Sequence, residues 1–259
     1  MKLATWNVNS LKVRLSHVID WLKDTNVDVL CLQETKQENQ NFSHDAFKEI
    51  GYYSYHNGQK TYNGVAIISK TPLNDVQIDI PNYKDHQKRF ISGKYSLNPS
   101  TEILIISAYV PNGQSLDSEK FIYKKKWLEN LISHIENINE VSPLIAITGD
   151  FNIAPEDIDC HDPSAWIGQV LVSDQEREYF KKIINLGFFD SFRNLNPELQ
   201  EYSWWDYRMA AFRRNLGMRI DHIILSNELK NLLKKAYIDK NPRKLERPSD
   251  HTPVVIEIK

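Results

Sequence analysis

Four carboxylates stand where apolar runs stop or start. VDVLCLQ runs into Glu34 and LIAITG into Asp150; Asp221 opens DHIIL, and Asp250 with His251 precedes TPVVIEI. Asn7 and Asn9 close the first run, TWNVN, and Asn152 follows Asp150 by two positions. A carboxylate beside a buried strand is costly unless it is paired, hydrogen-bonded or metal-bound. Taken singly, each acid reads as turn punctuation, and Gly149-Asp150 and Ser249-Asp250 have ordinary turn chemistry. Their repetition at strand ends points to convergence. Glu34, Asp150, Asp221 and Asp250 gathered on one rim would repel strongly without a cation. Oxygen donors from Asn, Asp and Glu suit Mg²⁺ or Mn²⁺ rather than zinc. A hard divalent ion with carboxylates, an amide and an imidazole is the equipment for attack of water on a phosphodiester.

The elements that must position these groups fall into two similar series. The first opens with the strand KLATWNV and a helix across LKVRLSHVIDWLKD, where Leu11, Leu15, Val18, Ile19 and Leu22 follow helical spacing. VDVLCLQE, a helix near HDAFKEIG, and the strand-like YYSYH, NGVAIISK and RFISGKYSL follow. The second series runs EILIISAYVPNG, a helix across KFIYKKKWLENLISHIENI, LIAITGDFN, a helix across SDQEREYFKKIINLG, RIDHIILSN, a short helix in ELKNLLKK, and TPVVIEIK. Two such layers bury their apolar strand faces against each other and leave the helices outside. The expected class is therefore α+β, one domain over residues 1–259 with a faint internal duplication. No Gly/Ser/Pro-rich linker separates the halves.

Composition narrows the partners. Of 259 residues, 41% are hydrophobic and 25% charged, as in globular proteins, which excludes a disordered or collagen-like chain. The formal net charge of -2 excludes a polybasic coat but leaves room for a local basic face. Lys124, Lys125 and Lys126 point in different directions around a helix, so they read as a solvated face. The two cysteines are too few for a disulfide scaffold or a four-ligand zinc site. Cys31 reads as a buried free thiol. No run approaches the ~18 apolar residues of a membrane helix. The N-terminus has no signal-peptide core, so a cytoplasmic location and no membrane partner are expected. Among the other seven histidines, His17, His44 and His86 included, none has a setting comparable to that of His251.

Ten segments carry a further signal: TWNVNS, LCLQETK, NGVAIISK, KRFIS, AYVPNG, GDFNIAPEDID, the SDQER helix start, SWWDYR, GMRIDHIILS and PSDHTPV. Together, in this order, they resemble the exonuclease III / AP endonuclease family of the endonuclease/exonuclease/phosphatase (DNase I-like) superfamily. The resemblance runs from residue 5 to residue 254. It implies a four-layer α/β/β/α sandwich of two packed mixed β-sheets flanked by helices. It implies Glu34 as the main metal ligand, supported by Asn7 and Asp250. Asp150 would orient or deprotonate the attacking water, and Asn152 would hold the scissile phosphate or the nucleophile. His251, oriented by Asp221, and Tyr109 would contact phosphate oxygens. Whether the base is Asp150 or the Asp221–His251 pair stays open at this point.

For DNA, the resemblance places Asn112 on a loop that enters the duplex, and Arg89 and Arg208 as phosphate or groove contacts. Trp204, Met218 and Ile220 would line a small apolar pocket for a flipped deoxyribose without its base, and Trp205 would belong to the core. The implied activity is that of a Mg²⁺-dependent enzyme, with Mn²⁺ as a substitute. It would degrade double-stranded DNA 3′→5′, incise abasic sites and remove 3′ blocks in base excision repair, as a monomer. The alternatives are a phosphodiesterase acting on RNA or a small phosphoester, and a non-catalytic DNA-binding relative. The chain departs from the pattern at Asn9, where some relatives carry Asp, and at Gln114 and Ser115, where it lacks the Arg that some AP endonucleases of the family insert into DNA. These departures leave open the number of metals and the balance of endonuclease and exonuclease activity.

Overall fold

A computed structural model describes residues 1–259. The first apolar run forms the strand Lys2–Asn7, crosses over through the helix Leu11–Thr25, and returns as the parallel strand Val29–Gln33. The helix buries the stripe Leu11, Val18, Trp21 and Leu22 and ends at Asn26, whose left-handed backbone stops it. The second half repeats the pattern with the strand Thr101–Tyr109, the helix Glu119–Asn139 and the parallel strand Ile145–Asp150. The Ser118 hydroxyl caps the long helix by accepting from the Phe121 amide.

Each unit sits near the middle of a six-stranded sheet. One sheet runs Leu233–Ile238, Val254–Ile258, Lys2–Asn7, Val29–Gln33, Val65–Ser69, Tyr53–Asn57. The other runs Asn74–Ile78, Phe90–Asn98, Thr101–Tyr109, Ile145–Asp150, Asp221–Ser226, Phe188–Asp190. Both mix parallel and antiparallel pairs. The period of two along each strand sorts the core into layers. Leu3, Cys31 and Ile67 of one sheet meet Ile91, Ile105 and Ile223 of the other. On the outer face of the first sheet, Trp6 and Leu32 pack on Val18 and Phe47; on the outer face of the second, Ile106 and Ile147 pack on Trp127 and Phe180. The four layers are those expected. Each such Leu or Ile contributes roughly 1.5–3 kcal/mol by leaving water.

Two details shape the end of the sandwich where Asn7 and Tyr109 emerge. Gln33 donates to Ser107 Oγ on the opposite sheet at 3.1 Å and to Thr5 Oγ1 at 3.0 Å, a polar rung between the sheets. Gly149 has φ +140, and a Cβ there would lie 1.8 Å from the Ala108 carbonyl oxygen. Only glycine lets the two central strands approach this closely just before Asp150.

Two expectations are corrected. ELKNLLKK is not a short α-helix. A 3₁₀ turn at Asn227–Leu229 leads into the strand Leu233–Ile238, which pairs with Val254–Ile258. Edge pairing overrides the helical propensity of Leu and Lys. Lys124 is not solvated: its side chain is 0% exposed, whereas Lys126 is exposed and Lys125 partly so. His222, one of the seven other histidines, is buried between Arg219 and the Ile153 carbonyl, and burial pushes it down to about 4. Arg219, itself fully buried, holds Asp159 through Nε at 2.7 Å and Asp190 through Nη1 at 2.7 Å. Arg219→Met removes the buried cation that holds Asp190 and shares Asp159 with Arg193, and is expected to cost about 3–5 kcal/mol. A melting midpoint lowered by roughly 10 °C checks this.

Candidate active site

The site lies where the parallel strands of both units end, the usual place for chemistry in such sheets. Asn7 ends the first strand, Glu34 follows the second, and Tyr109 and Asp150 end the matching pair in register with each other. Asp221 opens an antiparallel strand and lies opposite Asp150 in the ladder. His251 arrives from the C-terminal segment, held by the Trp6 indole, which donates to its carbonyl at 3.3 Å. The Ser249 hydroxyl pins the same segment to the Asn7 carbonyl at 2.7 Å.

One amide ties the halves together. Asn7 Nδ2 donates to Glu34 Oε1 and to Asp150 Oδ2, each at 2.9 Å. Glu34 Oε1 also accepts from the Tyr109 hydroxyl at 2.8 Å, and Oε2 pairs with Lys36 at 3.0 Å. Burial works to raise the Glu34 carboxyl, but Lys36, Asn7 and Tyr109 hold it below the ordinary value. Asp250 accepts from Asn9 Nδ2 at 2.9 Å and from the Trp204 indole at 3.0 Å. Against the effect of burial, the His251 charge and these bonds keep Asp250 ionised.

A second cluster lies alongside. His251 Nδ1 meets Asp221 Oδ2 at 2.8 Å, and Nε2 lies 3.8 Å from Asp150 Oδ2. The Ser203 hydroxyl donates to Asp221 Oδ2 at 2.7 Å and fixes its orientation. Burial alone would lower the imidazole, yet Asp221 and Asp150 raise it to about 10. Burial pushes Asp150 up to about 7; the His251 charge opposes this and the Asp221 charge adds to it. At neutral pH the imidazole is therefore a cation, and the carboxylate is poised to take a proton.

The residues fit a hard cation. Glu34 and Asp150 share the Asn7 amide, and Asn9 links Asn7 to Asp250, so three carboxylates line one rim. Asp221 Oδ1 is buried with no partner. On the more open side, Glu34 is 19% exposed, and the Lys36 ammonium bridges its Oε2 and Asn9 Oδ1. The rim thus attracts positive charge through oxygen donors.

The other expected residues lie around this notch. The Asn152 amide donates from its backbone to Asp150 Oδ1 at 2.9 Å, with a left-handed φ of 51. Its side chain accepts from the exposed Asn112 at 3.1 Å. Glu34 also has a left-handed backbone, φ 53, and such strain gathers at functional sites. Arg89 is largely buried, its guanidinium 4.4 Å from the Tyr109 ring centroid and bonded to the Tyr109 carbonyl. It lines a groove of about 730 Å³ that runs from Tyr109 and Asn112 to Tyr62 and Lys120. Arg208 is exposed and paired with Asp206. Met218 and Ile220 are packed away from solvent with Phe121 and Cys160; Trp204 is half-buried against them, and Trp205 is wholly in the core.

Sequence reasoning missed Lys36, Ser203 and Lys124. Lys36 stands two residues after Glu34 within QETK, the available signal. Lys124 falls in the apolar stripe Phe121, Leu128, Leu131 of its helix, a spacing that forecasts burial.

The chain is similar to proteins of known character. The Endonuclease/Exonuclease/phosphatase family profile matches residues 4–251. Exodeoxyribonuclease III of Haemophilus influenzae is 33% identical, with 100% of each chain covered. The structure of the 3′ phosphatase NExo from Neisseria bound to a product DNA hairpin is 42% identical, with a TM-score of 0.97 over 100% of this chain and 99% of that one. An AP endonuclease from Archaeoglobus fulgidus is 39% identical, with a TM-score of 0.95 over 100% of this chain and 99% of that one. A buried notch of carboxylates and imidazole, and likeness over the full length, lead to one assignment: the chain belongs to the Endonuclease/Exonuclease/phosphatase family and is a phosphodiester hydrolase.

Proposed function

We propose that this chain is a Mg²⁺-dependent DNA repair nuclease that acts on double-stranded DNA, at abasic sites and at blocked or free 3′ ends. The observation that carries the reading is the Asn7 amide bridging Glu34 and Asp150 beside the Asp221–His251 pair. The names of the relatives support DNA as the substrate.

Glu34, with Asn7 and Asp250, would hold the ion. Bound there, Mg²⁺, or Mn²⁺ in its place, supplies Lewis-acid charge for the phosphoryl and leaving 3′ oxygens. Asp150 takes the proton from the attacking water. Protonated His251, kept charged by Asp221, faces the phosphate, and the Tyr109 hydroxyl, which donates to Glu34 Oε1, would turn to a phosphate oxygen once Glu34 holds the ion. Asn152 and Asn112 hold the phosphate from the loop side. Arg89, stacked on Tyr109, braces that wall of the groove, and Arg208 swings from Asp206 to the backbone. Trp204 forms the face of the sugar pocket, with Met218 and Ile220 behind it. Incision 5′ to an abasic site leaves a 3′-hydroxyl and a 5′-phosphate.

A time course on a 5′-labelled duplex with one abasic site, with and without Mg²⁺, tests the reading. One defined cut marks the endonuclease, and a ladder of shortening marks the exonuclease. No product on any duplex, with Mg²⁺ or Mn²⁺, overturns it. For the metal site, Glu34→Gln is expected to weaken Mn²⁺ binding by at least about tenfold, read by calorimetry on the protein alone.

A further inference from the structure

We propose that Lys124 is a positioning residue that holds the two asparagine loops of the active site from beneath. The inference rests on the hydrolase reading of the notch above. Lys124 sits on the long helix Glu119–Asn139, in the midst of its buried stripe. Its ammonium donates to the Asn152 carbonyl at 2.7 Å, to the Asn112 carbonyl at 3.2 Å, and to Glu176 Oε1. All three ammonium protons are therefore committed.

Each partner belongs to a different segment. Asn152 follows Asp150 in a left-handed turn, and its amide donates back to the Asp150 carboxylate. Asn112 lies on the loop after Tyr109, and its side chain donates to Asn152 Oδ1. Glu176 caps the helix Asp174–Asn185 and accepts from Leu171 N at 3.0 Å and Ser173 N at 3.1 Å. The Lys124 stem also lies against Gly113, where an added Cβ would come within 3.3 Å of its Cδ. One buried cation thus fixes the peptide planes that aim both asparagines, while Glu176 neutralises it and ties the assembly to a second helix.

A packing role needs only the methylene stem. A positioning role needs the ammonium, because the carbonyls of Asn112 and Asn152 have to be drawn to a common point. Losing that point lets the asparagine side chains drift from the phosphate. Displacement of a positioning group by about 1 Å costs on the order of 10²-fold in rate.

The test compares Lys124→Met/Glu176→Gln, which keeps bulk and strands no charge, with the wild type on the abasic duplex. The expected result is a kcat lower by about 10²-fold, a melting midpoint lowered but a protein still folded at the assay temperature, KM within about twofold, and shifted Asn112 and Asn152 side-chain amide signals in ¹⁵N spectra. A folded double variant with wild-type kcat and unmoved amide signals overturns the proposal. Should the double variant fail to fold, Lys124→Arg decides, because it keeps a cation opposite Glu176 while displacing the donor that meets the two carbonyls. A kcat lower by tenfold or more with KM within about twofold supports the tether, and wild-type kcat in the folded protein overturns it. If the wild type itself cuts no duplex, the hydrolase reading has failed instead; the amide signals still report whether Lys124 places the loops.

Discussion

Asp150→Asn is expected to lower kcat by about 10²–10⁴-fold, the range for loss of a general base, with little change in KM. The substitution preserves shape, but its single oxygen can accept from the Asn7 amide or from the Asn152 backbone amide, not both. The larger loss is the capacity to take a proton. Burial holds the wild-type carboxyl at about 7, so a proton leaves it near neutral pH. Wild-type kcat should therefore rise with pH through about 7 as Asp150 ionises, and fall towards 10 as His251 loses its charge. The Asp150→Asn variant should lack the lower limb. Its melting midpoint should hold or rise, since a buried charge near Glu34 and Asp221 has been removed. A full pH–rate profile that survives in folded Asp150→Asn would assign the base elsewhere.

His251→Gln is expected to cost about 10²–10³-fold in kcat, the range for loss of one preorganised donor to developing negative charge. The imidazole is held as a cation by Asp221 at 2.8 Å and faces Asp150 at 3.8 Å. Gln retains a donor but not the charge. It also removes the influence that opposes the upward shift of Asp150. The lower limb of the pH profile should therefore move to higher pH, while the upper limb near 10 vanishes. These two signatures separate electrostatic stabilisation from proton abstraction. If His251 were the base, Gln would abolish the lower limb rather than displace it.

Much of this was legible in the chain. The carboxylates at strand ends named the notch, since a charge beside an apolar run has to be explained. The two strand–helix–strand series forecast the layers because periodicity reports which face is buried. What stayed hidden depends on partners distant in sequence. Lys124 looked like one of three solvated lysines, but its fate is set by Glu176 and by two loop carbonyls. ELKNLLKK reads as a helix in isolation, and it takes the free edge of Val254–Ile258 to draw its second half into a sheet. The roles of Asp150 and His251 were equally open from residue types alone. Burial and spacing split them into a poised carboxylate and a persistent cation.

The strand Val254–Ile258 lies between Lys2–Asn7 and Leu233–Ile238, so the segment bearing His251 docks on a strand made some 250 residues earlier. The ribosome must therefore deliver residues up to Ile258 before the imidazole can join Asn7, Glu34 and Asp150. Through synthesis of everything upstream, the half-built sheet lacks both its pairing partner and its reactive cation. Closure of the first sheet and the approach of His251 to Asn7 therefore both wait on the last strand, and they arrive together when Val254–Ile258 pairs with Lys2–Asn7.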